Sequence, residues 1–207
     1  TSNEISKILN SDTRIKGQYV KVVSEGILAP NTYSFDMKIS KKKLLDIMKK
    51  QQEKIVQMAW DNREIDLPLK TSYELVILAS IVEREALKNS EKPIIASVFI
   101  NRLNRKMRLQ SDPTVIYALT QGKTNFNRKL SRKDLKKISE FNTYKVFGLP
   151  PAPICNPGRE AIIAVSQPAK TDYLYFVADG KGGHKFSKNL EQHINYVSQY
   201  RKFINNK

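Results

Sequence analysis

The stretch TSYELVILASIVEREALKN, Thr71 to Asn89, decides how this chain is read. Leu75, Val76, Ile77, Leu78, Ala79, Ile81, Val82, Ala86 and Leu87 cover more than one stripe of the helix it forms. A helix that is apolar nearly all round belongs inside a protein. A carboxylate carried on such a helix has to be paired, hydrogen-bonded or protonated. Glu83 stands in the middle of this run and is the first candidate for chemistry, since a carboxyl held neutral near pH 7 is what a general acid requires. Glu85 lies two positions on, which turns it roughly 200° away around the helix. The two acids therefore do not face one substrate together.

Outward from that helix the chain alternates helices and turns. Ser40 is placed to cap a long Lys-rich helix reaching about Arg63, with Leu44, Leu45, Ile47, Met48, Ile55, Met58, Ala59 and Trp60 inward. Leu67-Pro68-Leu69 breaks the chain before the helix capped by Thr71 or Ser72. Ser90 and Pro93 open a further helix, and Asp112-Pro113 reads as a cap followed by proline at the first helical position. Ser131 to Lys137 is a short basic helix, Gly158 to Gln167 another, and the last runs from about Asn189 to Ile204. Two segments read as strands: YVKVVSEG, Tyr19 to Gly26, and DYLYFVADG, Asp172 to Gly180, with HKFS as hairpin partner of the second. Residues 1–39 otherwise read as short elements joined by turns. The expected fold is α+β and mainly helical with a small β element. Its domains are an N-terminal segment with the long helix over 1–65 and a core over 66–207.

Composition narrows the function classes. With 207 residues, 40% of them apolar, the chain can bury a sizeable core and is not disordered. Thirty-six Lys and Arg against 20 acids give a net charge of +16, which favours an anionic partner: nucleic acid, anionic lipid or an acidic cell-wall polymer. Cys155 is the single cysteine, so a disulfide-built scaffold is excluded, and it reads as a small packing residue. No apolar run approaches the roughly 18 residues of a membrane span. The start, TSNEISKILN, has neither a signal-peptide apolar stretch nor an initiator methionine, and the expectation is a fragment of a longer protein from which an anchor has been removed.

Other chemistry-bearing patterns are sparse. Asp112 is the best second carboxylate for a glycosidase-type pair, with a helix cap as its plainer alternative. Glu83 likewise has a plainer alternative, a buried ion pair with Arg102 or Arg108. The prolines and aromatics of FNTYKVFGLPPAPICNPG, Phe141 to Gly158, either line a sugar groove or pack their own loop down. His184 and His193 lack companions at metal-ligand spacing, so no metal site is expected. The ADGKGGH glycines suit a hairpin turn better than a phosphate cradle. The basic runs form no recognised nucleic-acid motif.

Taken in order, EGILAPNTY, LASIVERE, ASVFINRL, MRLQSDPTVIY, FNTYKVFGLPPAPICNPG, PAKTDYLYFVADGKGGHKFS and LEQH closely resemble the catalytic domain of the YceG-like family, over roughly residues 20–200. The family comprises bacterial endolytic murein transglycosylases. The resemblance implies a lysozyme-like groove and cleavage of the β-1,4 bond between N-acetylmuramic acid and N-acetylglucosamine within glycan strands, leaving a 1,6-anhydro end. It implies that Glu83 acts alone as acid and then base, with no cofactor. It also implies that Gln110, Asp112, Tyr117, Asn142, Thr143 and Tyr144 hold the sugars. Expected partners are peptidoglycan strands and cell-wall synthases, not nucleic acid. The expected location is the periplasm or the outer face of the cytoplasmic membrane, held by an N-terminal helix that this chain lacks. A non-catalytic peptidoglycan-binding module and a nucleic-acid-binding protein are the rival readings.

Overall fold

A computed structural model describes residues 1–36 and 39–205. Its centre is helix α3, Ser72–Glu85, whose Leu75, Leu78, Ala79, Ile81 and Val82 are completely buried. Around it pack α2, Lys41–Asp61, α4, Lys92–Asn104, and α7, Arg159–Ser166. Alanines at Ala79, Ala96 and Ala161, all buried, let these helices approach closely, while Phe99, Ile95, Ile162 and Val165 fill the remaining space. The near-uniform apolar surface of α3 is thus satisfied by neighbours on every side.

The caps follow the sequence signals in most places. Ser40 accepts from Lys43 N at 3.2 Å at the start of α2, and Thr71 accepts from Glu74 N at 3.2 Å at the start of α3. Ser131 caps the short helix α6, Arg132–Leu135. Helix α3 stops at Glu85, short of the expected Asn89, because Ala86 turns to extended backbone and tucks into the core. A single 3-10 turn, Asn89–Glu91, then leads into α4, so Ser90 does not cap it. Helix α5, Asp112–Thr120, is preceded by Ser111 as its N-cap residue, which places Asp112 inside the first turn.

The N-terminal region departs most from expectation. Thr1 and Glu4 form a capping box that opens helix α1, Ser2–Ser11. The segment Tyr19 to Gly26 forms no strand. Its backbone is held instead by α1: Val20 N donates to Asn10 Oδ1 at 2.9 Å, and Ser6 Oγ donates to Val20 O at 2.8 Å. Leu9, Ile15, Val20, Leu28, Leu44, Leu45 and Met48 make a second hydrophobic cluster, so α2 bridges the two clusters, with Ile55 and Ala59 at its other end in the main core. Ile47 and Met58, expected inward, are exposed.

The sheet is one antiparallel hairpin, β1, Tyr175–Ala178, with β2, His184–Ser187, in the register Tyr175 to Ser187. Helix α8, Leu190–Asn205, lies along it, stacking His193 on the Tyr175 ring at 5.1 Å. The fold is therefore α+β and mainly helical. No helix among the described residues is long and apolar enough to cross a membrane.

Candidate active site

The two acids of α3 occupy different surroundings. Glu83, whose side chain is 29% exposed, receives a hydrogen bond from Lys92 Nζ at 2.9 Å and another from Gly158 N at 3.3 Å. Lys92 begins α4 and is buried; Gly158 is the N-cap residue of α7. The Glu83 carboxylate thus ties the end of α3 to the starts of two neighbouring helices, and an anion at the α7 N-terminus is favoured by that helix's dipole. The partner is Lys92, whereas Arg102 or Arg108 was expected.

Glu85 ends α3 and lines a cleft of about 360 Å³. Arg102, Leu109, Gln110, Asp112 and Tyr144 share its walls, and Tyr175, Phe176 and His193 close it from the hairpin and α8. Ser111 Oγ donates to Glu85 Oε1 at 2.6 Å. Burial pushes the Glu85 carboxyl up to about 7; the Ser111 hydrogen bond opposes this, the neighbouring Asp112 charge reinforces it and Arg102 opposes it. A carboxyl in this state is populated in both protonation forms near neutrality, which suits a group that must give a proton and later accept one.

Asp112 is held by Tyr144, whose hydroxyl donates to Oδ1 at 2.6 Å. Burial, and then this bond, raise the phenol above its ordinary range. Gln110 has a positive φ of 52°, a region disfavoured for side chains other than glycine. It is kept there by Gln110 N donating to Thr143 O at 3.1 Å and by Arg102 Nη1 donating to the adjacent Leu109 O at 2.7 Å. The strain turns the 109–112 segment so that Gln110 and Asp112 both reach the cleft.

Of the six groove residues expected from sequence, Gln110, Asp112 and Tyr144 meet here with Glu85. Asn142 and Thr143 are completely buried and act from behind. Asn142 Nδ2 donates to Leu135 O at 3.1 Å and Lys137 O at 2.7 Å. Thr143 Oγ1 accepts from Ser111 N at 3.0 Å and shares a 2.8 Å hydrogen bond with Thr114 Oγ1. Both residues pin the loop carrying Tyr144 to α5 and α6. Tyr117 faces elsewhere, packing on Phe141 at 4.9 Å between ring centroids and lining a separate cavity. Glu83 is not among the residues lining the Glu85 cleft.

Arg102, Ser111, Tyr175 and His193 were not anticipated as site residues. Arg102 is buried, donating from Nε to Leu174 O at 2.6 Å, and carries a positive charge into the cleft wall beside the Tyr175 ring. His193 Nδ1 is buried without a hydrogen-bond partner among the described residues, and burial lowers its basicity. These residues come from distant segments and leave no local sequence signal. The 141–158 segment packs down in part: Pro150, Pro153 and Pro157 are buried, Ile154 N donates to Ser80 Oγ at 3.0 Å and Asn156 Nδ2 to Ser2 Oγ at 2.9 Å, while Phe147 and Pro151 are exposed and Tyr144 lines the cleft. Cys155 is buried and its thiol is pushed up to about 12 by desolvation, in keeping with a packing role.

Fold and cleft together define a mainly helical α+β domain in which the raised Glu85 carboxyl faces a polar and aromatic wall. The chain belongs to the YceG-like family, whose profile matches residues 1–199. It is similar to the endolytic murein transglycosylase of Bacillus subtilis, 39% identical over 182 residues, which is 87% of this chain and 49% of that protein. The endolytic murein transglycosylase of Streptococcus pneumoniae strain R6 is 37% identical over 180 residues, 85% of this chain and 32% of that protein. A crystal structure of a yceG-like protein from Listeria monocytogenes superposes with a TM-score of 0.71 at 40% identity, covering 82% of this chain and 54% of that one. The chain therefore spans about half or less of the length of these curated relatives.

Proposed function

We propose that this chain carries the catalytic part of an endolytic peptidoglycan lytic transglycosylase, with Glu85 as its acid and base. The observation that carries the reading is the Glu85 carboxyl, held near neutral pH between its two forms, beside Asp112, Tyr144 and Gln110 in one cleft. Family membership and the names of its relatives support the substrate class. The sequence expectation gave the proton transfers to Glu83; the geometry favours Glu85, because Glu83 is committed to Lys92 and Gly158.

In this mechanism the cleft is a lysozyme-like groove, and residues 66–207 are the catalytic core buttressed by the first 65. Protonated Glu85 gives its proton to the glycosidic oxygen as the bond from the muramoyl anomeric carbon to that oxygen breaks. The Asp112 carboxylate offsets positive charge building on the sugar ring. Glu85, now ionised, takes the proton of the muramoyl 6-hydroxyl as that oxygen bonds to the anomeric carbon. The products are a 1,6-anhydro-muramoyl end and a free N-acetylglucosamine 4-hydroxyl, with no water consumed. A second protein nucleophile is unnecessary. The surface charge of +16 suits anionic wall polymers and lipid headgroups. Anchoring at the outer face of the cytoplasmic membrane and work beside cell-wall synthases complete the proposal.

The test is mass spectrometry of muropeptides released from purified sacculi by the wild-type protein, Glu85→Gln and Glu83→Gln. The expected result is anhydro-muropeptides from wild type and from Glu83→Gln, and none from Glu85→Gln while strand binding persists. Release by Glu85→Gln at the wild-type rate would remove Glu85 from the mechanism. No release by any form would leave a non-catalytic peptidoglycan-binding module.

A further inference from the structure

A second cavity, of about 490 Å³, opens on the other side of the ridge that bears Glu85. The ridge is made of consecutive residues: Glu85 and Asp112 face the active cleft, while Arg84 and Pro113 face the second cavity. Neighbouring helical positions differ by about 100° around the axis and 1.5 Å along it. A ligand seated at Glu85 thus needs only a short branch to reach Arg84.

The chemistry of this cavity is distinct. Ile116, Tyr117 and Phe126 form apolar walls, and Lys7, Arg84 and Lys123 bring positive charge. Glu4, the one acid among the described residues of the lining, is engaged by the Thr1 amino group at 2.5 Å and the Thr1 hydroxyl at 3.0 Å; the Arg84 charge acts on it only through space, with no ion pair between them. Lys7 Nζ reaches across to Lys123 O at 3.5 Å, joining α1 to the 122–126 loop over the cavity. Among the described residues Arg84 is exposed and within ion-pair distance of no carboxylate, so its guanidinium is available for bidentate recognition of an anion. Apolar walls beside a planar cation match a short peptide carrying free carboxylates better than the lactyl carboxylate of a stem-free muramoyl residue, which brings no side chains to cover those walls.

We propose that Arg84 holds a carboxylate of the peptide stem borne by the muramoyl residue engaged at Glu85, and so distinguishes peptide-bearing from bare glycan. This rests on the transglycosylase reading and adds the substituent that the substrate must carry. Arg84 is then a specificity-determining residue that leaves the proton transfers untouched.

The test compares the full protein with Arg84→Ala and Arg84→Lys on two substrates: intact glycan strands, and strands whose stem carboxylates are chemically amidated. On intact strands Arg84→Ala is expected to lower kcat/KM about fivefold through KM, the size fitting an exposed ion pair, with kcat unchanged and Arg84→Lys in between. On amidated strands the wild type should match Arg84→Ala, which probes the contact without any substitution. Raised salt should shrink the difference. Equal effects of Arg84→Ala on intact and amidated strands, or no effect on intact strands, would overturn the proposal. Absence of anhydro products from the wild type on every substrate would instead bring down the underlying transglycosylase reading.

Discussion

Lys92 Nζ lies 2.9 Å from Glu83 Oε2, and this contact sets the surroundings of Glu83 apart from those of Glu85 on the same helix. Lys92 is nearly buried while Glu83 retains access to solvent, so the ammonium depends on the carboxylate more than the reverse. By fastening α3 to α4, and through Gly158 to α7, the pair fixes the helix end from which Glu85 projects.

Removing either partner should therefore have unequal consequences. Glu83→Ala leaves a buried ammonium unpaired and is expected to cost about 3 kcal/mol, whereas Lys92→Met leaves a carboxylate that water can still reach and should cost about 1–2 kcal/mol. The double variant should be less destabilised than the sum of the two. Urea denaturation of all four forms checks this, and additive losses would mean that the contact carries no coupling.

The raised Glu85 carboxyl makes stability depend on pH. Its folded value, about 7, lies above the ordinary 4.5, so the folded state binds more protons between these limits and loses stability as pH rises through them. The full separation corresponds to about 3 kcal/mol. Glu85→Gln has no such group. It should melt with the wild type near pH 4 and higher than the wild type at pH 8, by roughly 6–12 °C. Calorimetry at both pH values checks the sign; an equal melting temperature at pH 8 would contradict the assigned burial.

Asp112 contributes negative charge that discourages Glu85 from ionising. Asp112→Asn removes it, so the pH at which activity falls off on the alkaline side should move down, by less than about one pH unit because burial dominates. The same change should slow kcat by about tenfold, through weaker stabilisation of positive charge on the sugar. A pH–rate profile on soluble glycan strands measures both. An alkaline limb displaced upward would contradict the arrangement.

Much of this protein was legible from residue order. The all-round apolar surface of α3, the caps at Ser40 and Thr71, the hairpin glycines and the mainly helical class follow from local propensity and periodicity, which depend on neighbours a few positions away. Of the six groove residues that the family resemblance implied, Gln110, Asp112 and Tyr144 line one cleft, while Asn142, Thr143 and Tyr117 do not. The strand expected at Tyr19 to Gly26 failed because pairing requires a second strand, and here the α1 side chains of Asn10 and Ser6 take those backbone bonds. Only tertiary structure separated Glu83 from Glu85. Both stand on one buried helix, and both have core residues three and four positions earlier, so periodicity ranks them equally. What distinguishes them is Lys92 against one and a cleft wall against the other, contacts between segments that the chain brings together only when it folds.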